Sequence, residues 1–355
     1  GPNRGCIVIK VGALPEFKAL TNPDEVLIRS DGTATYVAKD IAYACWKLGW
    51  LGEDFRYGVW GEQPNGQRVW TTTYGEGTAA HPDFGNVDRA ITFVDKRQEY
   101  EQKIVKYAAE LIGVVGKGEK KKEYRHFSYE VVSLSRRTAE EISKDKLELE
   151  DRKIIHMAGR RGLVVNADDV LDGLGKLVEK ETRERNPEAS QEWVARVSSS
   201  IAAGALRYSM IKPDVSKLLV FDMEETVRLE GDTGPYLQYT YARANNIVEK
   251  ASNVIASEKL EFKAELLSPE ESLLIKTVGK LPWVIREASD NLSPRLLGIY
   301  AHELADQFNV FYERHQVIRA ETPELRATRL ILVKTFLQVM RNTLTVMGIE
   351  ALDSM

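Results

Sequence analysis

The stretch SDGTATYVAKD, residues 30–40, decides how the first part of this chain is interpreted. It places an aromatic ring and a carboxylate, Tyr36 and Asp40, four residues apart on one face of a helix that follows a turn. Such a pair can hold a planar cation, because the carboxylate accepts parallel hydrogen bonds while the ring covers the cation's face. Taken alone, the pair is more typical of a helix cap with half-buried packing.

Around this stretch, residues 1–133 alternate strand-like and helical segments. Four short runs of β-branched and aromatic residues predict strands at 26–29, 55–60, 90–94 and 129–132. Apolar residues at helical spacing predict helices at 37–48 and 97–112. This alternation is typical of a parallel sheet with helices packed on its faces. Asn65-Gly66 lies between two apolar runs and predicts a hairpin that leaves the main sheet.

From about residue 168 the pattern is helical to the end of the chain. Ser268 and Glu271 form a capping-box pattern with proline at the first helical position. Pro282 should kink or end that helix, and Ser293-Pro294 should open the next one. The predicted fold class is therefore α/β followed by all-α, ending in a helical bundle.

Composition narrows the classes of protein without selecting one. The 355 residues are 43% apolar and 29% charged, which is typical of a soluble globular protein. The net charge of -4 argues against a generally basic nucleic-acid coat but leaves room for a local basic patch. Cys6 and Cys45 show no paired spacing, so no disulfide framework or zinc site is predicted, and a reducing, cytoplasmic compartment fits. No apolar run reaches membrane-spanning length.

A second stretch, GDTGPYLQY at residues 231–239, follows about two hundred residues after the first. The two stretches, in this order and at this separation, resemble arginyl-tRNA synthetase of the archaeal-like type, and the resemblance covers residues 24–355. It implies a class I synthetase whose opening part is missing. The implied domains are the second part of a Rossmann-type catalytic domain (1–167, with an insertion at about 61–89), a helical connecting and stem-contact region (168–232) and a helical anticodon-binding bundle (233–355).

The resemblance implies a pocket for free arginine in the first part of the chain. The family's Tyr-x-x-x-Asp residues correspond to Tyr36 and Asp40, and its Val-Asp-x-x-Gln glutamine corresponds to Gln98. An acceptor-only carboxylate suits guanidinium, which has five donors and no acceptor.

The resemblance also implies a nucleotide loop at residues 156–162, which are similar to the family's Lys-Met-Ser-Gly-Arg-x-Gly signature. The implied ATP-binding residues are His156, Met157, Ala158, Gly159 and Arg160, and the implied catalytic residues are Arg160, Arg161 and His156. His156 replaces the family's lysine and Ala158 its serine, and none of the five histidines lies in the family's other nucleotide signature. Magnesium is expected to arrive with ATP as substrate, without a metal site built by the protein.

In the helical part the resemblance implies contacts with tRNA and its anticodon. The implied residues are Tyr236, Gln238, Tyr239, Arg243, Tyr312 and Met355. Unstacked anticodon bases can be read by aromatic faces and backbone polar groups. The first four residues could equally be structural and fix the loop that joins the domains. Without the resemblance, Tyr312 is more typical of a core edge and Met355 of a frayed end.

The expected reaction is ATP-dependent activation of arginine to arginyl-adenylate, followed by transfer to the 3′ end of arginine tRNA. The expected partners are arginine, ATP and arginine tRNA, with no membrane, for a cytoplasmic monomer. Two alternatives remain open. The chain begins with Gly1-Pro2 and soon enters strand-like sequence, so it is expected to be a fragment and could be a catalytically inactive tRNA-binding module. It could also be a class I synthetase for another amino acid, although Asp40 argues against an apolar one.

Overall fold

The computed structural model describes residues 3–18, 23–79, 84–116, 122–142, 154–156, 165–255 and 260–355. The chain divides into two compact units, residues 1–130 and 131–355. The first unit combines strands and helices, and the second is mostly helical. The predicted order, α/β followed by all-α, is therefore confirmed.

In the first unit, the described residues form three small groups of paired strands. Its elements are β1 (Ile7–Lys10), β2 (Asp24–Ile28), α1 (Tyr36–Lys47), β3 (Arg56–Glu62), β4 (Arg68–Thr73), β5 (Thr78–Ala79), β6 (Arg89–Asp95), α2 (Glu99–Leu111) and β7 (Glu123–Tyr129). Strands β1 and β2 are antiparallel, β3 pairs with both β4 and β5, and β6 and β7 are parallel with α2 between them in sequence. The predicted hairpin at Asn65-Gly66 is confirmed as the β3–β4 turn, where Gly66 has a φ of +79°.

The start of α1 is fixed to the neighbouring strand. Thr35 caps the helix, because its hydroxyl accepts from the Ala38 amide, and the same hydroxyl donates to the Val26 carbonyl of β2 at 3.0 Å. The buried face of α1 includes Val37 and Ala44, and α1 packs beside α2. Tyr36 and Asp40 lie beside this buried face, at its edge, and both are exposed.

The second unit combines one small sheet with a set of packed helices. Its elements are β8 (Val132–Ser135), α3 (Arg136–Ile142), β9 (Ile154–His156), α4 (Ala167–Arg185), α5 (Gln191–Ile211), β10 (Leu219–Phe221), α6 (Met223–Thr226), α7 (Gly234–Ile255), α8 (Pro269–Val278), α9 (Leu281–Asp290), α10 (Arg295–Arg314) and α11 (Pro323–Val346). Strand β8 pairs in parallel with β10 and antiparallel with β9.

Two predictions of secondary structure were wrong. The single strand expected at 129–132 is two strands, because β7 ends at Tyr129 to pair with β6 while β8 begins at Val132 to pair with β9 and β10. Residues 130 and 131 also mark the boundary of the two units. Strand β10 interrupts a region expected to be helical throughout, since three apolar residues are too short to show a period of two.

The helical bundle of α7 to α11 has a continuous apolar core. At its centre the rings of Phe308 and Phe336 stack with centroids 4.0 Å apart. The predicted capping box is confirmed, with Ser268 and Glu271 each binding the other's backbone amide. Helix α8 ends before Pro282, as predicted, and Gly348 follows α11 with a φ of +70°. Among the described helices, none is both long and apolar enough to span a membrane.

Candidate functional site

The predicted cation-binding pair lies on the first turns of α1. The Tyr36 ring is 86% exposed, and the Asp40 carboxylate is exposed one turn later. Gln98 is the N-cap residue of α2 and is also exposed. An exposed ring and carboxylate on one helical face leave both groups accessible to a small cation.

The neighbour that sequence reasoning missed is Gln102. Its Nε2 donates to Oδ2 of Asp40 at 3.3 Å, and its Oε1 accepts from the Tyr124 hydroxyl at 2.7 Å. The Gln102 side chain is buried, and it lies one turn after Gln98 on α2. One signal was present in the sequence: Gln102 is spaced three and seven residues before Val105 and Ala109, so it falls within the buried stripe of α2.

The predicted nucleotide loop falls largely outside the described residues. Residues 157–164, which include Met157, Ala158, Gly159, Arg160 and Arg161, are not described, and only the backbone of His156 is. That backbone ends β9, opposite Ser133 of β8. The roles of these residues stay predictions.

Three of the predicted tRNA contacts come together between α7 and α10. The Arg243 guanidinium carbon lies 4.8 Å from the ring centroid of Tyr239 and 5.0 Å from that of Tyr312. Asn309 orients the same group, because Nη1 of Arg243 donates to Oδ1 of Asn309 at 2.8 Å. Within the described ranges, no carboxylate lies within ion-pair distance of Arg243. The cation is thus held by aromatic faces and an amide, and its charge remains available to a ligand.

Arg243 and Tyr312 line a cavity of about 730 Å³ between α7 and the segment after α10. Most of the charged side chains in its lining are basic: Arg243, Lys250, Arg314 and Arg319 against Glu313. Arg314 also forms an ion pair with Glu270. A cavity with exposed cations and a tyrosine face can accept an unpaired base and its phosphate.

Tyr236 occupies a more structural position than Tyr239. Its hydroxyl donates to Oδ1 of Asp306 at 2.7 Å and accepts from Nδ2 of Asn309 at 2.9 Å. Burial and the hydrogen bond to Asp306 raise the pKa of Tyr236 to about 12. Asn309 also binds Arg243. Tyr236 therefore belongs to the hydrogen-bond network that supports the Arg243 side chain, and it does not contribute to the exposed surface around Arg243.

Gln238 lies in the interior. Its side chain is fully buried, and its amide donates to the carbonyls of Glu350 at 2.9 Å and Ser200 at 3.4 Å. These contacts join α7 to α5 and to the segment after α11, which favours the structural alternative, and a tRNA contact by Gln238 stays a prediction.

Met355 is packed rather than frayed. It lies against the apolar cluster of α4 and α5, and it lines a cavity of about 210 Å³ that Tyr239 also lines. Tyr312 lines the larger cavity, so Tyr312 and Met355 are at different cavities. Tyr239 lies between the two cavities. It lines the smaller one, and its ring covers Arg243, which lines the larger one.

Metal ligands are not clustered in the part of the chain that the structure describes. Over those ranges, no group of three or more His, Cys, Asp or Glu side chains is arranged to hold an ion.

Comparisons with known proteins identify a related family. Residues 237–355 match the family model of the DALR anticodon binding domain. The arginine–tRNA ligase of Thermococcus sibiricus is 36% identical over 362 residues, covering 100% of this chain and 52% of that protein. The ligase of Pyrococcus abyssi is 34% identical over 358 residues, with coverage of 100% and 52%.

A solved structure supports the same relationship. The arginyl-tRNA synthetase of Thermus thermophilus superposes with a TM-score of 0.81 at 30% identity, covering 100% of this chain and 55% of that one. The chain thus spans about half the length of the curated relatives it matches. Over its whole length the chain is a homologue of the arginyl-tRNA synthetases, and its residues 237–355 match the DALR anticodon binding domain.

Proposed function

We propose that this chain supplies the anticodon-reading and arginine-selecting parts of an arginine–tRNA ligase. Such an enzyme activates arginine with ATP to arginyl-adenylate and transfers arginine to the 3′ end of arginine tRNA. The observation that carries the proposal is the Arg243 guanidinium between Tyr239 and Tyr312, beside a basic cavity in the anticodon binding domain.

The proposal that the chain reads the anticodon rests on the chemistry of this cavity. Tyr312 is 43% exposed and can stack on an unpaired base, while Arg243 and Lys250 supply cations for the adjoining phosphates. Stacking is tolerant of sequence, so base identity must be read by polar groups around the ring. Asn246 and residues 313–319 lie in the same lining.

The arginine half rests on Tyr36 and Asp40. A carboxylate accepts two parallel hydrogen bonds from guanidinium, and an exposed ring one turn away can cover the cation's face. Gln98 is proposed to bind the main-chain end of the amino acid. A fully apolar amino acid would offer the Asp40 carboxylate no hydrogen-bond donor from its side chain, which disfavours a synthetase of that kind.

ATP is the proposed second substrate, and Mg²⁺ is proposed to accompany it. The loop residues His156, Met157, Ala158, Gly159, Arg160 and Arg161 remain the proposed nucleotide contacts. Cations in such a loop would neutralise charge that develops on the leaving pyrophosphate. A monomeric state and a cytoplasmic location are part of the same proposal, since the family acts in protein synthesis.

A titration with tRNA tests the anticodon half. The chain is titrated with arginine tRNA and with the same tRNA carrying a replaced anticodon, at one fixed moderate salt concentration. We expect tighter binding of the native anticodon, and we expect Tyr312→Ala to remove the difference. Trp283→Ala is the matched control, because Trp283 is an aromatic residue of the same bundle, 62% exposed and outside the cavity lining.

Equal affinity for the two tRNAs would contradict the proposal, because only phosphate attraction would remain.

Arginine-dependent exchange of pyrophosphate into ATP tests the proposed ligase activity separately. Its absence, with anticodon discrimination intact, would favour a tRNA-binding module over a ligase.

A further inference from the structure

A directional chain of hydrogen bonds ends on the carboxylate of Asp40. Thr92 donates from Oγ1 to the Tyr124 hydroxyl at 2.9 Å, and that hydroxyl donates to Oε1 of Gln102 at 2.7 Å. Nε2 of Gln102 then donates to Oδ2 of Asp40 at 3.3 Å. The four residues come from β6, β7, α2 and α1. The hydrogen bonds therefore link the parallel strands to the helix that carries the proposed arginine site.

The carboxylate of Asp40 fixes the orientation of the Gln102 amide. An ionised carboxylate only accepts hydrogen bonds, so the NH₂ group of Gln102 must face Asp40, and a flipped amide would place its oxygen against a carboxylate. Oε1 of Gln102 then faces the Tyr124 hydroxyl, which donates its single proton to Oε1 and accepts from Thr92. This hydroxyl holds the amide at its other end.

Burial makes this arrangement rigid. Gln102 and Tyr124 each expose only 3% of their surface, whereas Asp40, the last acceptor in this series of hydrogen bonds, is exposed. A buried amide that is bonded at both ends loses much more by breaking either bond than an exposed one does. Oδ1 of Asp40 has no hydrogen bond or ion pair to any described residue, so it remains available to a ligand.

We propose that Gln102 is a positioning residue for arginine recognition, which holds Oδ2 of Asp40 so that the carboxylate presents its remaining lone pairs to a guanidinium. The inference rests on the proposed arginine site. Bidentate binding depends on the orientation of the carboxylate plane. The hydrogen bond from Gln102 to Oδ2 restricts that orientation. Gln98, one turn earlier on α2, would then reach the same ligand from the same helix.

A purely structural role for Gln102 makes a different prediction. If the amide only satisfies the buried Tyr124 hydroxyl, its loss lowers the free energy of unfolding and affects all ligands of the chain alike. If the amide positions Asp40, its loss acts on ligands that need two parallel hydrogen bonds. Arginine needs them, and lysine, a compact ammonium, does not.

The experiment measures the affinity of the whole chain for L-arginine and for L-lysine by calorimetry, with lysine measured by displacement. The variants are Gln102→Leu and Tyr124→Phe, the latter keeping the ring and removing only the donor that orients the amide. Lys106→Gln is the matched control on the exposed face of α2. Urea unfolding of every variant reports whether it is folded.

We expect Gln102→Leu and Tyr124→Phe to weaken arginine binding about tenfold and to leave lysine binding nearly unchanged, so that the affinity ratio falls. An unchanged ratio in both folded variants would overturn the inference and leave the arginine site standing. Failure of the unaltered chain to bind arginine would overturn the arginine site and this inference together. The anticodon titration is independent of both results.

Discussion

Arg329 forms a buried ion pair with Glu271: Nε lies 2.6 Å from Oε1, and the two side chains expose 9% and 0% of their surface. Nη1 of Arg329 donates to the Gln316 carbonyl at 2.9 Å, and Nη2 bonds Nδ1 of His315 at 3.2 Å. His315 and Gln316 line the basic cavity. The pair therefore ties one wall of the proposed anticodon site to α8 and α11.

Removing one partner of this pair should be strongly destabilising. Arg329→Met leaves the Glu271 carboxylate buried without its cation, and we expect a loss of about 3–5 kcal/mol in the free energy of unfolding. Urea unfolding measures the loss. Arg314→Met is the control, because it removes an exposed arginine from a nearby pair with Glu270 and should have a much smaller effect. Equal losses in the two variants would contradict the role given to burial.

The same pair predicts how stability depends on pH. Burial raises the pKa of Glu271, but hydrogen bonds from the Ser268 amide and from Arg329 outweigh it, so the pKa lies below its ordinary value. The unfolded chain then binds the proton more readily than the folded chain. The stabilisation is complete above the unfolded pKa of about 4.3 and is lost as the pH falls through the lower, folded pKa.

Glu271→Gln isolates this effect, because glutamine can keep the capping box without the charge. We expect a large stability difference between the wild type and this variant at pH 7. The difference should shrink as the pH falls below about 4, where the wild type also loses the charge. Urea unfolding from pH 3 to pH 7 measures it, and a difference that is constant over this range would show that the charge contributes nothing.

The close approach of α7 to α5 depends on glycine. A Cβ at Gly234 would lie 2.5 Å from the Gly204 carbonyl oxygen, which is a backbone atom and cannot rotate away. We expect Gly234→Ala to reduce the free energy of unfolding by about 1–3 kcal/mol. Gly175→Ala is the control, since its Cβ meets no atom within 4 Å and alanine favours the α4 helix. A thermal or urea midpoint that falls for Gly175→Ala as far as for Gly234→Ala would contradict this explanation.

Local signals explain which parts of the fold the sequence predicts well. The Asn65-Gly66 turn and the Ser268–Glu271 box each lie within a few residues, and the corresponding elements turn or begin where expected. Strand β10 was missed because its identity comes from pairing with β8, which lies 87 residues earlier in the sequence.

The candidate sites show the same limit. Family resemblance indicated Asp40, Arg243 and Tyr312 individually, but their partners depend on tertiary packing. Gln102 is 62 residues from Asp40, and the buried Gln238 binds a carbonyl 112 residues away. No periodicity in one helix can predict such an interaction.

The geometry of Arg243 predicts that charge alone will not replace it. Arg243→Lys keeps a cation but loses the planar group that stacks against Tyr239 and Tyr312 and donates to Asn309. We expect this variant to lose most of the preference for the native anticodon while the salt dependence of binding stays nearly unchanged. Binding of both tRNAs is measured across a range of salt concentrations.

Lys250→Gln is the complementary variant, because it removes an exposed cation from the same cavity without altering the stacked group. We expect it to weaken binding of both tRNAs by a similar factor and to reduce the slope of log affinity against log salt by about 0.7 for each phosphate that the lysine no longer neutralises. If Arg243→Lys retains full anticodon preference, the stacked guanidinium is not the group that positions the base. If Lys250→Gln removes the preference instead, the cavity distinguishes anticodons through charge, and the role given to Tyr312 is wrong.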